Sequence, residues 1–342
     1  MAAAPPVAIC MATFEPDPEL LERQVESIRA QTYERWACVI SDDGSAPERL
    51  ERLRQLIAGD PRFRLEVGGE RLGFYRNFER ALWLAPPEAE FVALADQDDR
   101  WYPHKLEALL AACAAPGVRL AYSDMRIVDE RGRELSPTFW QGRRNNHTDL
   151  ASLLLANTVT GAASLLRREL LDLALPFLPP VGDPFHDHWL ACLALATGEI
   201  AYVDEPLYDY VQHGGAARGH AAAMRPWDPG RVLDPRRPRE TLRRLAEHGR
   251  RSYERNVRRI ALMATEVERR ADGAMTPRKA RAVRRVARLG RFPEPTAWLA
   301  LRWLRRFAGR NETLGIELSL FAAIWWHRLA ALRRRLPRRN RI

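Results

Sequence analysis

Short apolar runs alternate with amphipathic segments through the first third of the chain, and this alternation constrains the fold more than any other feature. The run VAICMAT, residues 7–13, has the length of a buried strand, and the next segment, residues 18–31, places apolar residues at helical spacing behind Asp17 as N-cap. The same pattern recurs through residues 36–124. Strands that alternate with helices of this length predict βαβ units, and therefore an α/β fold with a mainly parallel sheet.

Acidic residues follow two of the predicted strands directly. Asp42 and Asp43 come after the run WACVI, and the run FVALA ends in the segment DQDD. This segment crowds Asp96, Asp98 and Asp99 into four residues. Ligands bind at the carboxyl ends of parallel strands, so both clusters are predicted to face one crevice. Like charges so close together are unfavourable unless a cation or a polarised ligand joins them, and a solvated acidic turn is the alternative.

The predicted crevice lacks a glycine-rich phosphate loop. Neither GxGxxG nor GxxxxGK[ST] follows any predicted strand. A nucleotide bound there needs another group to neutralise its phosphates. Asp96 and Asp98 offer the oxygen ligands that Mg²⁺ or Mn²⁺ takes beside substrate phosphates, so the sequence predicts one of these ions as cofactor.

The composition excludes several classes of protein. With 46% hydrophobic and 29% charged residues, the chain is globular rather than disordered. Its four cysteines show no CxxC spacing and fall in apolar segments. We therefore expect reduced core thiols, and neither a disulfide framework nor a zinc site.

Successive motifs resemble those of the family 2 inverting glycosyltransferases, whose catalytic domain has the GT-A fold, the Rossmann-like fold of nucleotide-diphospho-sugar transferases. The resemblance is carried, in order, by VAICMATF, AQTYERWACVISDDGS, LGFYRNFERAL and FVALADQDDRWYPHKLE. The later segments NTVTGAASLLRREL, HDHWLACLALA and YDYVQHGG are more narrowly similar to a rhamnosyltransferase-like bacterial subgroup. Together these motifs cover roughly residues 5–220.

The resemblance implies a role in nucleotide-sugar binding for residues at the ends of the first strands. Thr13 and Phe14 would flank the nucleobase. Asp43, helped by Asp42, would accept a hydrogen bond from an NH group of the base, and Asp96 would contact the ribose.

The resemblance also implies the groups around the diphosphate. Asp98 would bind the metal that bridges the phosphates. His213 in VQHGG would ligate the metal or donate to the diphosphate, and a histidine of a surface loop is the alternative. Where some family members carry a basic residue this chain has Gly73, and Arg71 and Arg76 are the nearby residues that can supply the charge.

Inverting sugar transfer needs a carboxylate that removes the proton of the attacking hydroxyl. By resemblance this base is Asp187 in PFHDHWLA, at the start of a helix that it can also cap. The sugar or acceptor pocket would be shaped by Asn157, Thr160, Gly161 and Trp189.

Charge divides the chain into two parts. Residues 1–230 carry a net charge of −11, whereas residues 231–342 carry +21, with 31 Lys and Arg against 10 Asp and Glu. The composition becomes rich in Arg and Pro near residue 226. We therefore expect a GT-A catalytic domain over residues 1–225 and an Arg-rich helical region over residues 226–342.

The basic region has two interpretations. Residues 314–332, with Trp325 and Trp326 and flanking Arg clusters, suit a helix that lies on an anionic membrane surface. Alternatively, its helices pack on the catalytic domain and expose an Arg face. No recognition motif accompanies the charge, so nucleic acid is not expected as a partner. Neither a signal peptide nor a membrane-spanning run is predicted, which favours the cytoplasm, with peripheral attachment to the inner face of the plasma membrane.

The predicted function is inverting transfer of a sugar from a nucleotide-diphosphate donor, by resemblance dTDP-rhamnose, to a hydroxyl of a glycan or lipid-linked glycan in bacterial surface polysaccharide synthesis. A sugar-1-phosphate nucleotidyltransferase is an alternative with a related fold, but the segment ATFEPDPELL lacks the Gly-rich basic sequence typical of that class. The other alternative is a non-catalytic module that binds a polyanion or a membrane. The joint presence of Asp43, Asp98 and Asp187 argues against it.

Overall fold

The computed structural model describes residues 4–212, 236–291 and 293–335. The strands are β1 (Val7–Thr13), β2 (Trp36–Asp42), β3 (Phe63–Val67), β4 (Phe91–Ala95), β5 (Arg100–Trp101), β6 (Val118–Asp129), β7 (Glu134–Ser136), β8 (Ser164–Arg167) and β9 (Glu199–Gln212). The helices are α1 (Pro18–Arg29), α2 (Pro47–Ile57), α3 (Phe74–Trp83), α4 (Lys105–Cys113), α5 (Leu150–Leu155), α6 (Leu170–Ala174), α7 (His186–Thr197), α8 (Pro238–Ser252), α9 (Arg258–Arg270), α10 (Pro277–Ala287), α11 (Glu294–Leu304) and α12 (Ile316–Arg335).

The strands form one twisted sheet in the order β3-β2-β1-β4-β8-β6-β9-β5, with β7 paired to β6. β1 is parallel to both β2 and β4, β2 is parallel to β3, and β6 is parallel to β9. This confirms the predicted α/β fold with a mainly parallel sheet. The exceptions are β8, which lies antiparallel between β4 and β6, and the short strands β5 and β7, which are antiparallel to β9 and β6. Because β8 runs the opposite way, the segment that precedes it lies at the carboxyl edge of β4.

Local sequence accounts for where the first elements begin. Asp17 caps α1, since its Oδ1 accepts from the backbone NH groups of Glu19 and Leu20. In the sheet Thr13 lies opposite Asp42. The parallel register therefore brings the carboxyl ends of β1 and β2 side by side, as the sequence predicts.

The helices from α8 onward pack against the first part of the chain and continue its hydrophobic core through Ile260 and Val283, among others. Polar contacts join the two parts as well. Arg270 Nη1 donates to the backbone oxygen of Ala174 at 3.0 Å, and Lys279 Nζ lies 2.8 Å from Glu199 Oε1. The predicted domain boundary at residues 225 and 226 falls outside the described residues.

The four cysteines are buried free thiols, as expected. Across the described ranges, no helix is both long enough and apolar enough to cross a bilayer.

Candidate active site

A cavity of about 620 Å³ opens at the carboxyl edge of the sheet. It is bounded by the ends of β1, β2 and β4, by the start of α3 and α7, and by the loop before β8. Among the residues singled out from the sequence, the following line it: Thr13, Phe14, Asp43, Asp96, Asp98, Asn157, Thr160, Gly161 and Asp187.

Asp43 faces the cavity at the end of β2. Its Oδ1 accepts from the backbone NH of Leu72 at 2.8 Å, and its Oδ2 accepts from that of Gly73 at 2.7 Å. Gly73 has a φ of +80°, which an L residue with a side chain rarely adopts, so glycine suits this turn. The carboxylate is thus held rigidly by the turn that starts α3, and its remaining lone pairs can accept from a ligand.

Asp42 does not face the cavity, which corrects the expectation that it helps to bind the nucleobase. Its carboxylate is fully buried and accepts from Thr13 Oγ1 at 2.9 Å and from Ser45 Oγ at 2.6 Å. The backbone NH groups of Gly44 and Ser45 also donate to it. Asp42 therefore holds the ends of β1 and β2 together, and this shapes the wall that carries Asp43.

Phe14 and Arg71 form a stacked pair on the wall next to Asp43. The Arg71 guanidinium lies 3.9 Å from the centre of the Phe14 ring, a cation–π contact. The backbone NH of Phe14 donates to Gln97 Oε1 at 2.8 Å. This bond joins the end of β1 to the acidic loop that follows β4, residues 96–99. Arg71 therefore places a positive charge at the cavity wall, to which Gly73 also belongs. Arg76 instead pairs with Glu79, with 2.5 Å between Arg76 Nη1 and Glu79 Oε2.

The acidic loop after β4 concentrates carboxylates in a poorly hydrated place. Burial, together with the charges of Asp98 and Asp187, raises the pKa of Asp96 to about 7, and Lys105 opposes this shift. Burial and the same crowding raise the pKa of Asp99 well above its usual range. Within the described part of the chain, Asp99 Oδ2 has no hydrogen-bond partner. The loop thus has an excess of negative charge that a cation would relieve.

Lys105 is a site residue that the sequence analysis missed. It is fully buried at the start of α4, and its Nζ lies 3.8 Å from the ring centre of Trp101 and 4.3 Å from that of Tyr208. Burial lowers its pKa well below the usual range, whereas Asp99 and Asp96 act in the opposite direction. In the sequence, the one signal that could have found this lysine is its position six residues after the last acid of DQDD.

Asp187 lines the cavity from the first turn of α7. Its Oδ1 accepts from the backbone NH of His188 at 2.6 Å. The carboxylate therefore satisfies one NH group of the helix terminus while it lines the cavity. Asp96, Asp98 and Asp187 all line this cavity, and the charges of Asp98 and Asp187 act on the pKa of Asp96.

His186 fixes the approach of α7 to the loop before β8. Its ring stacks on Phe78 with 3.8 Å between the ring centres. Gly161 passes so close that a Cβ there would lie 2.6 Å from His186 Nε2. Gly161 is therefore required for the close contact that positions the start of α7 and, with it, Asp187.

Arg143 is a second site residue that the sequence analysis missed. It is nearly buried, lines the cavity and donates from Nη2 to the backbone oxygen of Asn157 at 2.8 Å. Its Nε donates to the backbone oxygen of Glu312 at 2.8 Å, so it connects the cavity to the C-terminal helices. Asn157 itself turns back on its own loop, with Nδ2 donating to the backbone oxygen of Val159.

Two further expectations have different outcomes. Trp189 was expected in the sugar or acceptor pocket, but it lies outside the cavity, buried in the core, where its Nε1 donates to the backbone oxygen of Ala174 at 3.0 Å. It follows Asp187 by two residues, and this helical spacing turns its side chain away from the cavity. His213 lies outside the described residues.

The residues at the acidic loop fit a divalent metal. The described residues contain no cluster of three or more His, Cys, Asp and Glu side chains that could hold an ion alone. A magnesium site in nucleotide-binding proteins commonly takes one or two carboxylates and completes its shell with substrate phosphates and water. Asp96 and Asp98, which crowd each other at the cavity wall, match that donor set.

Residues 8–173 match the model of a family described as Glycosyl transferase family 2. An uncharacterized glycosyltransferase of Nostoc sp. is 28% identical over 59% of this chain and 63% of its own length. The O-antigen biosynthesis protein RfbC of Myxococcus xanthus is 26% identical over 64% of this chain and 17% of its own length. The chain thus spans less than two thirds of these relatives.

A crystal structure supports the fold. The crystal structure of residues 1–349 of S. aureus TarS in complex with UDP-GlcNAc superposes with a TM-score of 0.54 over 95% of this chain and 92% of that chain, at 14% identity. This likeness confirms the GT-A type of fold.

Proposed function

We propose that the protein, whose residues 8–173 match the model of the family 2 glycosyltransferases, moves a sugar with inversion from a nucleotide-diphosphate donor to a hydroxyl of a glycan or lipid-linked glycan. The observation that carries this proposal is that one cavity gathers Asp43, Asp96, Asp98 and Asp187 from three separate parts of the chain. Asp43 and Asp98 are proposed to hold the nucleotide diphosphate, and Asp187 is proposed to act on the acceptor in the same cavity.

The nucleoside end of the donor is proposed to bind beside β1 and β2. Asp43 accepts from an NH group of the base, and the stacked pair of Phe14 and Arg71 offers a flat face for it. Asp96 is proposed to accept from the ribose hydroxyls, with Thr13 at the floor of the site.

Asp98, with Asp96 beside it, is proposed to hold Mg²⁺ or Mn²⁺. When bound, the ion neutralises the diphosphate and so makes it a better leaving group. His213 is proposed to contribute to the same end of the donor.

Asp187 is proposed as the general base. The acceptor oxygen attacks the anomeric carbon from the face opposite the diphosphate, and Asp187 takes the hydroxyl proton. The bond between the anomeric carbon and the phosphate oxygen breaks, and its electron pair leaves with the diphosphate. This single displacement inverts the anomeric carbon. Asn157, Thr160 and Gly161 are proposed to border the sugar or the acceptor.

The donor is proposed to be dTDP-rhamnose, because HDHWLACLALA and YDYVQHGG resemble the rhamnosyltransferase-like subgroup. RfbC of M. xanthus is described as an O-antigen biosynthesis protein, which supports a role in bacterial surface polysaccharide synthesis. We further propose a catalytic domain over residues 1–225 and an Arg-rich region over residues 226–342 that attaches the enzyme to the cytoplasmic face of the membrane.

Donor binding by the purified protein tests the proposal. With Mn²⁺ and a panel of UDP-, GDP- and dTDP-sugars, dTDP-rhamnose is expected to raise the melting temperature by mass action. Asp98→Ala or EDTA should abolish the shift. Asp187→Asn should keep it and lose transfer. A shift with a different sugar nucleotide would contradict the rhamnose donor, and no shift with any of them would contradict the enzyme class.

A further inference from the structure

The outward face of α11 is apolar from its second turn onward. This apolar stripe consists of Ala297, Ala300, Leu301, Leu304 and Phe307, which are exposed at helical spacing. The exposed fraction is 67% for Leu301, 50% for Leu304 and 75% for Phe307. Large apolar side chains so exposed, and next to one another, mark an interaction surface in a folded protein.

The one arginine of α11 points the opposite way, whereas Glu294 at the start of the helix is exposed and pairs with Arg285. The side chain of Arg302 is only 10% exposed. Its Nη2 lies 3.6 Å from Asp149 Oδ2, and its Nε lies 3.8 Å from Glu317 Oε1. Arg305, just after the helix, lies 3.4 Å from the same Asp149 oxygen. A helix on a protein surface in water normally buries its apolar side and exposes its charges. α11 buries Leu299 in this way, but it also exposes the apolar stripe and turns Arg302 inward, so its outward face is suited to an apolar medium.

A row of exposed arginines lies on the adjoining helix α10 and the turn that follows it. This Arg row consists of Arg278, Arg281, Arg284, Arg285 and Arg288. Arg285 links it to α11, because its Nε donates to Glu294 Oε1 at 2.8 Å and its guanidinium lies 5.8 Å from the ring centre of Trp298. The apolar stripe is therefore bordered by positive charge.

We propose that the apolar stripe and the Arg row dock the protein on an anionic lipid surface, with the stripe at the boundary of headgroups and acyl chains and the arginines among the lipid phosphates. Charge selects this occupant. A lipid phosphate layer neutralises the Arg row, whereas a second copy of this chain would bring another positive row. This inference rests on the proposed function, because a lipid-linked acceptor is delivered at such a surface.

The proposal moves the contact away from the segment that the sequence favoured, residues 314–332. In α12, Leu320, Ala323 and Ile324 are buried, and the helix packs on α8 and α11. Near its end, Leu329 and Leu332 remain exposed, so α12 provides a direct competitor for the same role.

Sedimentation of the full chain with vesicles tests the surface. Wild-type protein should bind phosphatidylglycerol-containing vesicles, bind pure phosphatidylcholine weakly and lose binding as NaCl is raised. Leu301→Glu with Phe307→Glu should lower the partition coefficient at least about tenfold. Arg281→Gln with Arg288→Gln should weaken binding and flatten its salt dependence. Trp83→Glu, on a side chain that is 61% exposed on α3, is the matched control and should bind as wild type does.

Two outcomes would overturn the proposal. One is vesicle binding that survives Leu301→Glu with Phe307→Glu but is lost in Leu329→Glu with Leu332→Glu. The other is a wild-type protein that does not bind vesicles but forms a dimer in size-exclusion chromatography, where Leu301→Glu with Phe307→Glu makes it a monomer. Every variant is also tested for the donor-induced melting shift. A shift without vesicle binding contradicts only the docking surface, and vesicle binding without a shift contradicts only the proposed donor site.

Discussion

Lys105 Nζ donates a hydrogen bond to the backbone oxygen of Ala162 at 2.5 Å. This bond joins α4, which follows the acidic loop, to the loop that carries Thr160 and Gly161. The helix that follows the acidic loop and the loop before β8, which are distant in sequence, therefore meet at one buried amine. The same amine is the basic group that acts against the raised pKa values of Asp96 and Asp99.

Replacement of Lys105 by Met should lower the free energy of unfolding by about 3 kcal/mol, because the Ala162 carbonyl loses its donor and Asp99 loses the nearby cation. Urea denaturation measures the change. In an Asp99→Asn background the same replacement should cost less, since part of the loss is the interaction with Asp99. Lys279→Met, on the partly exposed pair with Glu199, is the control and should cost under about 1 kcal/mol. Equal costs in both backgrounds would contradict the coupling.

Asp42 and Asp43 should respond differently to the same replacement. Asp42→Asn should lower the free energy of unfolding by about 2 kcal/mol, because an amide cannot accept from Thr13 Oγ1, Ser45 Oγ and two backbone NH groups together. Asp43→Asn should instead weaken nucleotide affinity about tenfold or more, since the group proposed to face the base loses its charge. Urea denaturation and calorimetric titration with dTDP separate the two effects. The reverse pattern would show that Asp42 is the base-binding residue.

Acid should destabilise the protein through its buried histidines. Burial, with the charge of Arg259, lowers the pKa of His188 to about 3. Its neutral ring donates from Nε2 to the backbone oxygen of Leu153, and its Nδ1 accepts from Arg259. Between pH 3 and 6.5 the unfolded chain binds a proton at this residue that the folded chain does not. Stability therefore rises with pH across this window and is lost as pH falls, by about 2 kcal/mol from pH 7 to pH 5.

The change from pH 7 to pH 5 should accordingly be about 2 kcal/mol smaller in His188→Gln than in the wild type. Urea denaturation at both pH values gives this difference, whatever the stability of the variant at pH 7. His104→Gln removes a histidine from an exposed pair with Glu205 and is the matched control with which the change is compared. An unchanged slope in His188→Gln would mean that the ring is charged in the folded protein.

Arg143 should couple the C-terminal helices to the cavity. Arg143→Met removes the donors to the backbone oxygens of Asn157 and Glu312, and should lower the free energy of unfolding by about 2–3 kcal/mol. Arg144→Met, on the exposed neighbour, should change it by less than about 0.5 kcal/mol. Limited proteolysis would show the coupling as earlier cleavage after residue 236. If Arg143→Met were cleaved at the same rate and positions as the wild type, this coupling would be contradicted.

The alternating elements, the Asp17 cap and the position of the acidic clusters at the carboxyl edge all follow from the sequence. These features depend on neighbours within a few residues: spacing of apolar residues, a capping side chain, a strand that ends in charge. The helix α2 begins and ends where the run PERLERLRQLI does. Such local patterns also identified Asp43, Asp96 and Asp98 as candidates, whereas Asp187 was a candidate by resemblance to the family. The cavity brings all four together.

Tertiary structure alone decided which polar side chains are buried and which way they point. Lys105 and Ala162 are 57 residues apart in sequence, and Arg143 and Glu312 are 169 residues apart. No local sequence pattern can therefore predict either contact. The inward turn of Arg302 likewise depends on Asp149, far along the chain. A buried charge is stable only where a distant segment supplies its partner, and that supply depends on how the whole chain packs.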